Sequence, residues 1–550
     1  MRTARRVAPS ALPSPVDGSV VLRGRQSRRA VALLLGFALL ACLGIHWGSL
    51  HGQFLSDDFG FPWGLYHAAE GEGVWRWVWD AVIVREPQPG NFYRPLGFLS
   101  FALNWGIGGA DPLGWRLFNL LLHLGNGLLL YRLLRRVAGT AAQAPWAAAL
   151  AAALFWLYPL APEVSAWVCA RFDALALAGL LIGVERHLAS RRPFDGAHLA
   201  SLAALALALA SKESALTAPA FLLLLDLAVA ADRPWRARLQ RALLRLLPAL
   251  ALLAIYLAWR RVLFGGSAVE VYAHSAPLSH LAPLELWHHL LGMAPIPREA
   301  LGATRAPLLV ATAVLLALGA AAAWRAGRFL DHWLIPALAF AAAAGAVLPH
   351  FSGSLPNGEG ARLFYLAGAW LVLWLALPLA HAAAGLPRAL AAGVVLLAFA
   401  AGQAQAMVPW RKAALAMRGV MDAVRTSAPA LRRAGVHGLI LLPDHWRTAP
   451  FARNAQIAPL VPPYQAEDFR DVLSVFTPPG MAEWAQRVRD ADLPWSGGTA
   501  ASLRCYCFDA DTRALVPLSL SAADAGDADT WSAAWQRALA ASPCADEYRP

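Results

Sequence analysis

Apolar runs recur along the whole chain, and they repeatedly reach the roughly 20 residues a helix needs to cross about 30 Å of hydrocarbon. They occupy about 30–47, 112–134, 146–158, 171–187, 198–210, 215–231, 246–264, 307–324, 333–348, 363–379 and 389–408. Of the 550 residues, 58% are hydrophobic and only 15% charged. The mean hydropathy of +0.46 lies well outside the usual soluble range. The expected fold class is therefore mainly α: a polytopic α-helical membrane protein with about 11 transmembrane helices.

The net charge of +12 does not point to nucleic acid. Arginines cluster in short segments between apolar runs, as they do where positive residues mark the cytoplasmic ends of membrane helices. Residues 1–29 carry Arg2, Arg5, Arg6, Arg23, Arg25, Arg28 and Arg29 among Pro and Ser, and are expected to form a disordered basic cytoplasmic arm. No convincing small-residue cleavage site follows the first run, so it reads as an uncleaved helix rather than a signal peptide. The transmembrane domain then spans 30–408, with a first outer loop at about 49–111. Trp75, Trp77 and Trp79 in that loop suit the headgroup layer.

An odd number of crossings leaves the polar segment 409–550 outside. It is expected to be a small extracytoplasmic mixed α/β domain, with the apolar run 436–442 as one buried strand. Of five cysteines, Cys505, Cys507 and Cys544 fall in this segment. One disulfide to Cys544 fits an oxidising compartment, and the spacing does not identify its partner. The expected location is a bacterial inner membrane, N-terminus cytoplasmic and C-terminal domain periplasmic, with membrane lipids as surroundings and no nucleic acid as partner.

Polar residues at the outer ends of the runs carry the chemistry. Asp57 and Asp58 are adjacent carboxylates just beyond the first crossing. In the second run Arg116, Asn119, His123 and Asn126 recur at intervals of three, four and three, hence on one helical face that must meet protein or a wet cavity. For His123, helix–helix hydrogen bonding and a site role compete evenly. Glu163, Trp167 and Arg171 follow a proline-broken turn at intervals of four, which suits either a local Glu163–Arg171 network or a binding role. Lys212, one of only two lysines, can hold a phosphate or snorkel to the headgroups. His274, His280, His288 and His289 share one outer loop but lack tight ligand spacing. A divalent metal is left open, without a convincing ligand cluster.

This orientation brings Asp57, Asp58, Arg94, Glu163, Arg171, Asp173, Lys212 and Arg362 to or near one membrane surface. Sugar transfer from a lipid phosphate needs a base for the acceptor hydroxyl and cations for the departing phosphate, and this set contains both. A transporter would place its charges in mid-membrane at a repeat interface, whereas these lie at outer ends and no repeat is evident. A scaffold can carry the same residues as exposed loop groups.

The ordered series Ser56-Asp-Asp-Phe59, Tyr93-Arg-Pro-Leu-Gly-Phe-Leu-Ser-Phe-Ala-Leu-Asn104, Phe118-Asn-Leu-Leu-Leu-His-Leu-Gly-Asn126, Pro162-Glu-Val-Ser-Ala-Trp-Val-Cys-Ala-Arg-Phe-Asp-Ala-Leu175 and Ser211-Lys-Glu213 resembles the multispanning O-mannosyltransferase-like family that often carries tetratricopeptide repeats. Arg362-Leu-Phe-Tyr-Leu366 is similar to its later Glu-Arg-x-Leu-Tyr-Leu-Pro-Ser motif. Together they cover roughly 30–380 and look like a GT-C glycosyltransferase. The resemblance implies a polyprenyl-phosphate sugar donor, mannose or another hexose, with inversion at the anomeric carbon. It makes Asp57 the candidate base and Asp58 its partner or a metal or acceptor contact. It makes Arg94, Lys212 and Arg362 candidate donor-phosphate contacts, with Asn119, His123, Glu163, Arg171 and Asp173 supporting the site. Ala361 stands where the motif has Glu, Ala367-Gly368 where it has Pro-Ser, and Tyr158 where the family has His. No tetratricopeptide repeat follows, which leaves a protein, glycan or lipid acceptor open. The runner-up is a glycan polymerase or ligase using a lipid-diphosphate donor.

Overall fold

A computed structural model of the chain describes residues 18–83, 92–264, 298–347, 358–480, 503–520 and 528–546, together with 483 and 486. Each expected crossing falls on a helix: Gly18–Leu50, Pro112–Ala138, Ala144–Trp156, Arg171–Ala189, Gly196–Leu209, Ala218–Val229, Trp235–Phe264, Arg305–Arg325, Ile335–Gly345, Tyr365–Ala376 and Leu386–Ala434. Among the described residues, six helical segments are long and apolar enough to cross a membrane: Arg28–Leu50, Pro112–Ala138, Trp235–Phe264, Glu299–Arg325, Ala361–His381 and Leu386–Ala434. The others fall short; the 13 residues of Ala144–Trp156 rise only about 20 Å. The chain is thus an integral membrane protein with a helical bundle, and eleven full crossings are not established.

The first helix begins at Gly18, so Arg23, Arg25, Arg28 and Arg29 lie on it rather than in a disordered arm. Arginine is a good helix former, and no proline follows Pro15 until the helix has ended. The histidine-rich loop 265–297 lies outside the described residues.

Within the bundle, burial separates centre from edge. The apolar window of Ala361–His381 is 89% buried, against 17% for Arg28–Leu50. Leu33, Leu40 and Trp47 on the latter are exposed, the face a membrane protein turns to lipid. Small residues set the closest approaches. A Cβ at Gly179 would come within 2.8 Å of the Ala204 carbonyl oxygen, and one at Gly183 within 2.6 Å of Leu205. These two glycines, four apart, let Arg171–Ala189 lie directly against Gly196–Leu209, and Ser201 Oγ donates to the Gly183 carbonyl at 2.6 Å.

The helix Leu386–Ala434 has 49 residues and therefore rises about 74 Å, more than twice the hydrocarbon thickness. Its first half exposes Leu390, Val394 and Leu397, and its second half carries a small α/β unit. It ends at Gly435, whose left-handed φ of +62° lets its N–H bond back to Arg432. Strand β1 (His437–Leu441) follows at once and pairs in parallel with β4 (Leu473–Phe476) and β5 (Leu503–Asp509). β6 (Ala514–Pro517) is antiparallel to β5, and β2 (His445–Trp446) and β3 (Ala449–Pro450) form a separate short hairpin. Alternate residues of β1 face opposite ways. Leu439 and Leu441 meet Trp531 and Trp535 of the helix Ala528–Ala540, whereas Ile440 joins the core that includes the long helix. Burial on both faces explains why 436–442 is an uninterrupted apolar run.

Candidate functional site

The first helix leads into the carboxylate turn, and Arg116 fixes the junction. Its guanidinium donates to the Ser49 carbonyl at 2.7 Å and to that of Gln53, meeting the carbonyl groups at and beyond the end of Gly18–Leu50. Gln53 N–H donates to Ala414 O on the long helix at 2.8 Å. The turn Ser56–Phe59 is then a short 3-10 helix in which the two carboxylates diverge.

Asp58 is fully buried. Its Oδ1 accepts the Cys169 N–H at 2.7 Å, and Oδ2 faces the Leu55 N–H at 3.4 Å. Burial pushes its carboxyl up to about 7, against the pull of the Cys169 N–H and Arg116. Asp57 is half-buried and, among the described residues, its side chain takes one hydrogen bond, from Asn454 Nδ2 to Oδ1 at 2.8 Å. The pair thus divides into an anchored inner carboxylate and an accessible outer one.

The partner turn, 162–170, is itself fixed from beneath. Asn119 donates to the carbonyls of Val164 at 3.1 Å and Trp167 at 3.0 Å, while its oxygen accepts from Arg171 Nε at 2.7 Å. Arg171 is wholly buried, donates to Trp115 O at 2.9 Å and Ser100 O at 3.2 Å, and lies over Phe101 and Phe118. His123 lies deeper. Its Nδ1 meets Tyr365 Oη at 2.9 Å and Nε2 meets Trp156 O at 3.2 Å, so helix–helix hydrogen bonding accounts for both ring nitrogens. Arg116, Asn119, His123 and Asn126 are all buried in protein, as their shared helical face requires.

Three cations from distant segments gather beside this frame, each held by a carboxylate. Lys212 Nζ lies 2.6 Å from both oxygens of Asp173. Arg94 donates to Glu213 Oε2 at 3.0 Å, and Glu213 also binds Arg260 at 3.1 Å. Arg362 binds Glu163 through its guanidinium and, at 2.9 Å, through its backbone N–H. The local Glu163–Arg171 network is therefore not formed: Glu163 reaches 199 residues along the chain to Arg362, while Arg171 bonds to an amide and to carbonyls.

The three pairs sense one another. Burial lowers the Lys212 ammonium pKa, Asp173 opposes this, and Arg94 and Arg362 lower it further. Burial alone would raise the Glu213 carboxyl, but Arg94 and Arg260 outweigh it and hold it below its ordinary value. Glu163 stays raised by burial despite Arg362. Burial pushes the Cys169 thiol up, with Asp57 and Asp58 adding to this and Arg362 and Arg94 opposing it. Cys169 therefore marks where the carboxylate turn and the cations meet. The side chains of Lys212, Arg94 and Arg362 are 12%, 15% and 29% exposed, so each is sheltered without being sealed off. No group of three or more His, Cys, Asp or Glu side chains suited to a metal ion occurs among the described residues.

The C-terminal unit contributes residues that sequence reasoning does not single out. Ser56, at a left-handed φ of +48°, donates its N–H to Phe451 O at 2.9 Å and its hydroxyl to Arg453 O at 2.6 Å. Tyr464 donates to Phe59 O and packs edge-on against Phe54 and Phe59. Arg453 also binds Glu359 at 3.0 Å, beside His445 at 3.2 Å, just before Arg362 in the chain. No spacing rule pairs residues some 400 positions apart, and no local motif singles out Arg453 or Asn454; in the fold Arg447 and Asn454 both stand at positive φ.

No protein-family model matches the chain. A 134-residue stretch is 37% identical to protein O-mannosyl-transferase Tmtc2 of Drosophila melanogaster, covering 23% of this chain and 14% of that protein. A 143-residue stretch is 34% identical to protein O-mannosyl-transferase Tmtc1 of the same organism, covering 26% of this chain and 16% of that one. The matched region is thus a small part of either curated relative. The crystal structure of ArnT from Cupriavidus metallidurans in the apo state superposes with a TM-score of 0.40 at 14% identity, over 88% of this chain and 93% of that one. Over these stretches the chain is similar in sequence to two proteins named as O-mannosyl-transferases.

Proposed function

We propose that this chain is a membrane glycosyltransferase that moves a hexose, mannose in the first instance, from a polyprenyl phosphate to an acceptor hydroxyl on the extracytoplasmic side. The observation that carries this reading is the gathering of Arg94, Lys212 and Arg362 around Asp173 and Cys169, beside the half-buried Asp57. The names of the two Drosophila relatives support the same reaction class.

In this mechanism Asp57 takes the proton of the acceptor hydroxyl as its oxygen attacks the anomeric carbon. The bond from that carbon to the phosphate oxygen breaks on the opposite face, which inverts the anomeric centre. The polyprenyl phosphate leaves as an anion, and no general acid is required. Arg94, Lys212 and Arg362 stabilise the charge that grows on it, in a sheltered site where such contacts are stronger than in water. Asp58, anchored to the Cys169 N–H, holds the turn that presents Asp57. The six helices long and apolar enough to cross a membrane among the described residues fit a lipid-linked donor, and the Cys507–Cys544 disulfide fits a C-terminal unit on the oxidising side.

The test is transfer from radiolabelled polyprenyl-phosphate hexoses, compared with polyprenyl-diphosphate hexoses, to endogenous acceptors in membranes containing the full chain. Transfer from the monophosphates alone is expected. Transfer only from diphosphates would move the assignment to a polymerase or ligase, and transfer from neither would end the enzyme reading.

A further inference from the structure

Asp57 and Asn454 are 397 residues apart, yet Asn454 donates the one hydrogen bond that the Asp57 side chain receives among the described residues. The bond occupies Oδ1 and leaves Oδ2 without a hydrogen-bond partner among the described residues, on a side chain that is half-buried. The contact is not a loose meeting of surface side chains. Phe451 and Arg453 present their carbonyls to the N–H and hydroxyl of Ser56, one residue before Asp57. Arg453 is tied in turn to Glu359, on the segment that delivers Arg362. The turn 451–454 thus bridges the carboxylate turn and the phosphate-binding segment, with the Asn454 amide aimed at the proposed base.

We infer that Asn454 is a positioning residue for the transfer reaction: its amide holds Asp57 Oδ1 so that Oδ2 faces the acceptor hydroxyl. The inference rests on the proposed function above and makes the C-terminal unit part of the active centre. Charged and titratable groups near Asp57 include Asp58 on its own turn and Cys169 opposite, with Arg94 and Arg362 acting on the same thiol. Asn454 supplies the hydrogen bond that fixes the carboxylate's rotation among them.

The backbone at Asn454 has a φ of +61°, which Asn, Asp and Gly adopt more readily than other residues. Asn454→Gly therefore removes the amide and spares the turn, while Asn454→Asp keeps the shape and sets a like charge against Asp57. Both are assayed in the full chain with a polyprenyl-phosphate hexose. Asn454→Gly is expected to lower kcat about ten- to a hundredfold with the donor KM unchanged, and Asn454→Asp to lower it further. In an Asp57→Asn background, Asn454→Gly should change the residual rate or, where no residual rate is measurable, the melting temperature by much less than it does in wild type. A purely structural role would give additive losses and a raised donor KM. Full activity of both Asn454 variants while Asp57→Asn is inactive overturns this inference and leaves the function standing. Full activity of Asp57→Asn overturns the base assignment and the inference with it.

Discussion

The ammonium of Lys212 lies 2.6 Å from both carboxylate oxygens of Asp173, with Arg94 and Arg362 adding positive charge to the same region. The pair is sheltered, so removing one partner leaves the other without compensation. Replacing Lys212 by Met should raise the donor KM about tenfold or more and spare the acceptor KM, because a phosphate loses one of three cations. Lys212→Arg should not restore it, since a planar fork does not fill the place of a compact ammonium. Asp173→Asn frees the ammonium and should leave donor KM unchanged or lower. Steady-state kinetics with a defined polyprenyl-phosphate hexose separate these outcomes.

Asp58 gives a pH signature distinct from catalysis. Its folded carboxyl stands at about 7, against about 3.9 in an unfolded chain. The native state therefore binds more protons between these values, and stability falls as pH rises from about 4 to about 7. The groups that face it are Arg116, Arg171, Cys169 and Tyr464, from three separate segments. Melting temperatures in detergent should show this decline in wild type, and Asp58→Asn should flatten it while its retained oxygen still accepts the Cys169 N–H.

Two departures from the resembled motifs prove to be one packing event. A Cβ at Gly368 would lie 2.4 Å from a ring carbon of Tyr158, so the tyrosine that stands in place of histidine fits only because residue 368 lacks a side chain. Gly368→Ser should destabilise the protein by about 1–3 kcal/mol through overpacking. Adding Tyr158→His should recover most of that loss, a non-additive cycle readable from thermal melts.

The legible part of this molecule was that governed by local pattern. Apolar periodicity located a helix at every expected crossing, and the intervals among Arg116, Asn119, His123 and Asn126 showed that they share a buried face. The run 436–442 contained a strand because both of its faces are covered. Pairings across the chain were not legible. Spacing offers Glu163 only a near partner, Arg171, whereas the fold gives it Arg362. Cys505 and Cys507 lie two apart on β5 and share a face of the strand, so alternation could not choose between them; the fold joins Cys507 to Cys544. Arg453 and Asn454 carry no local mark of their role, because their partners Glu359 and Asp57 are brought to them by a 49-residue helix.

In the proposed reaction Asp57 removes the acceptor proton beside a three-cation phosphate site. Transfer from a polyprenyl-phosphate hexose by Asp57→Asn, at folded levels matched to wild type, tests it most directly. A fall in kcat of at least about a hundredfold with donor KM preserved is expected. Wild-type transfer by the variant would contradict it.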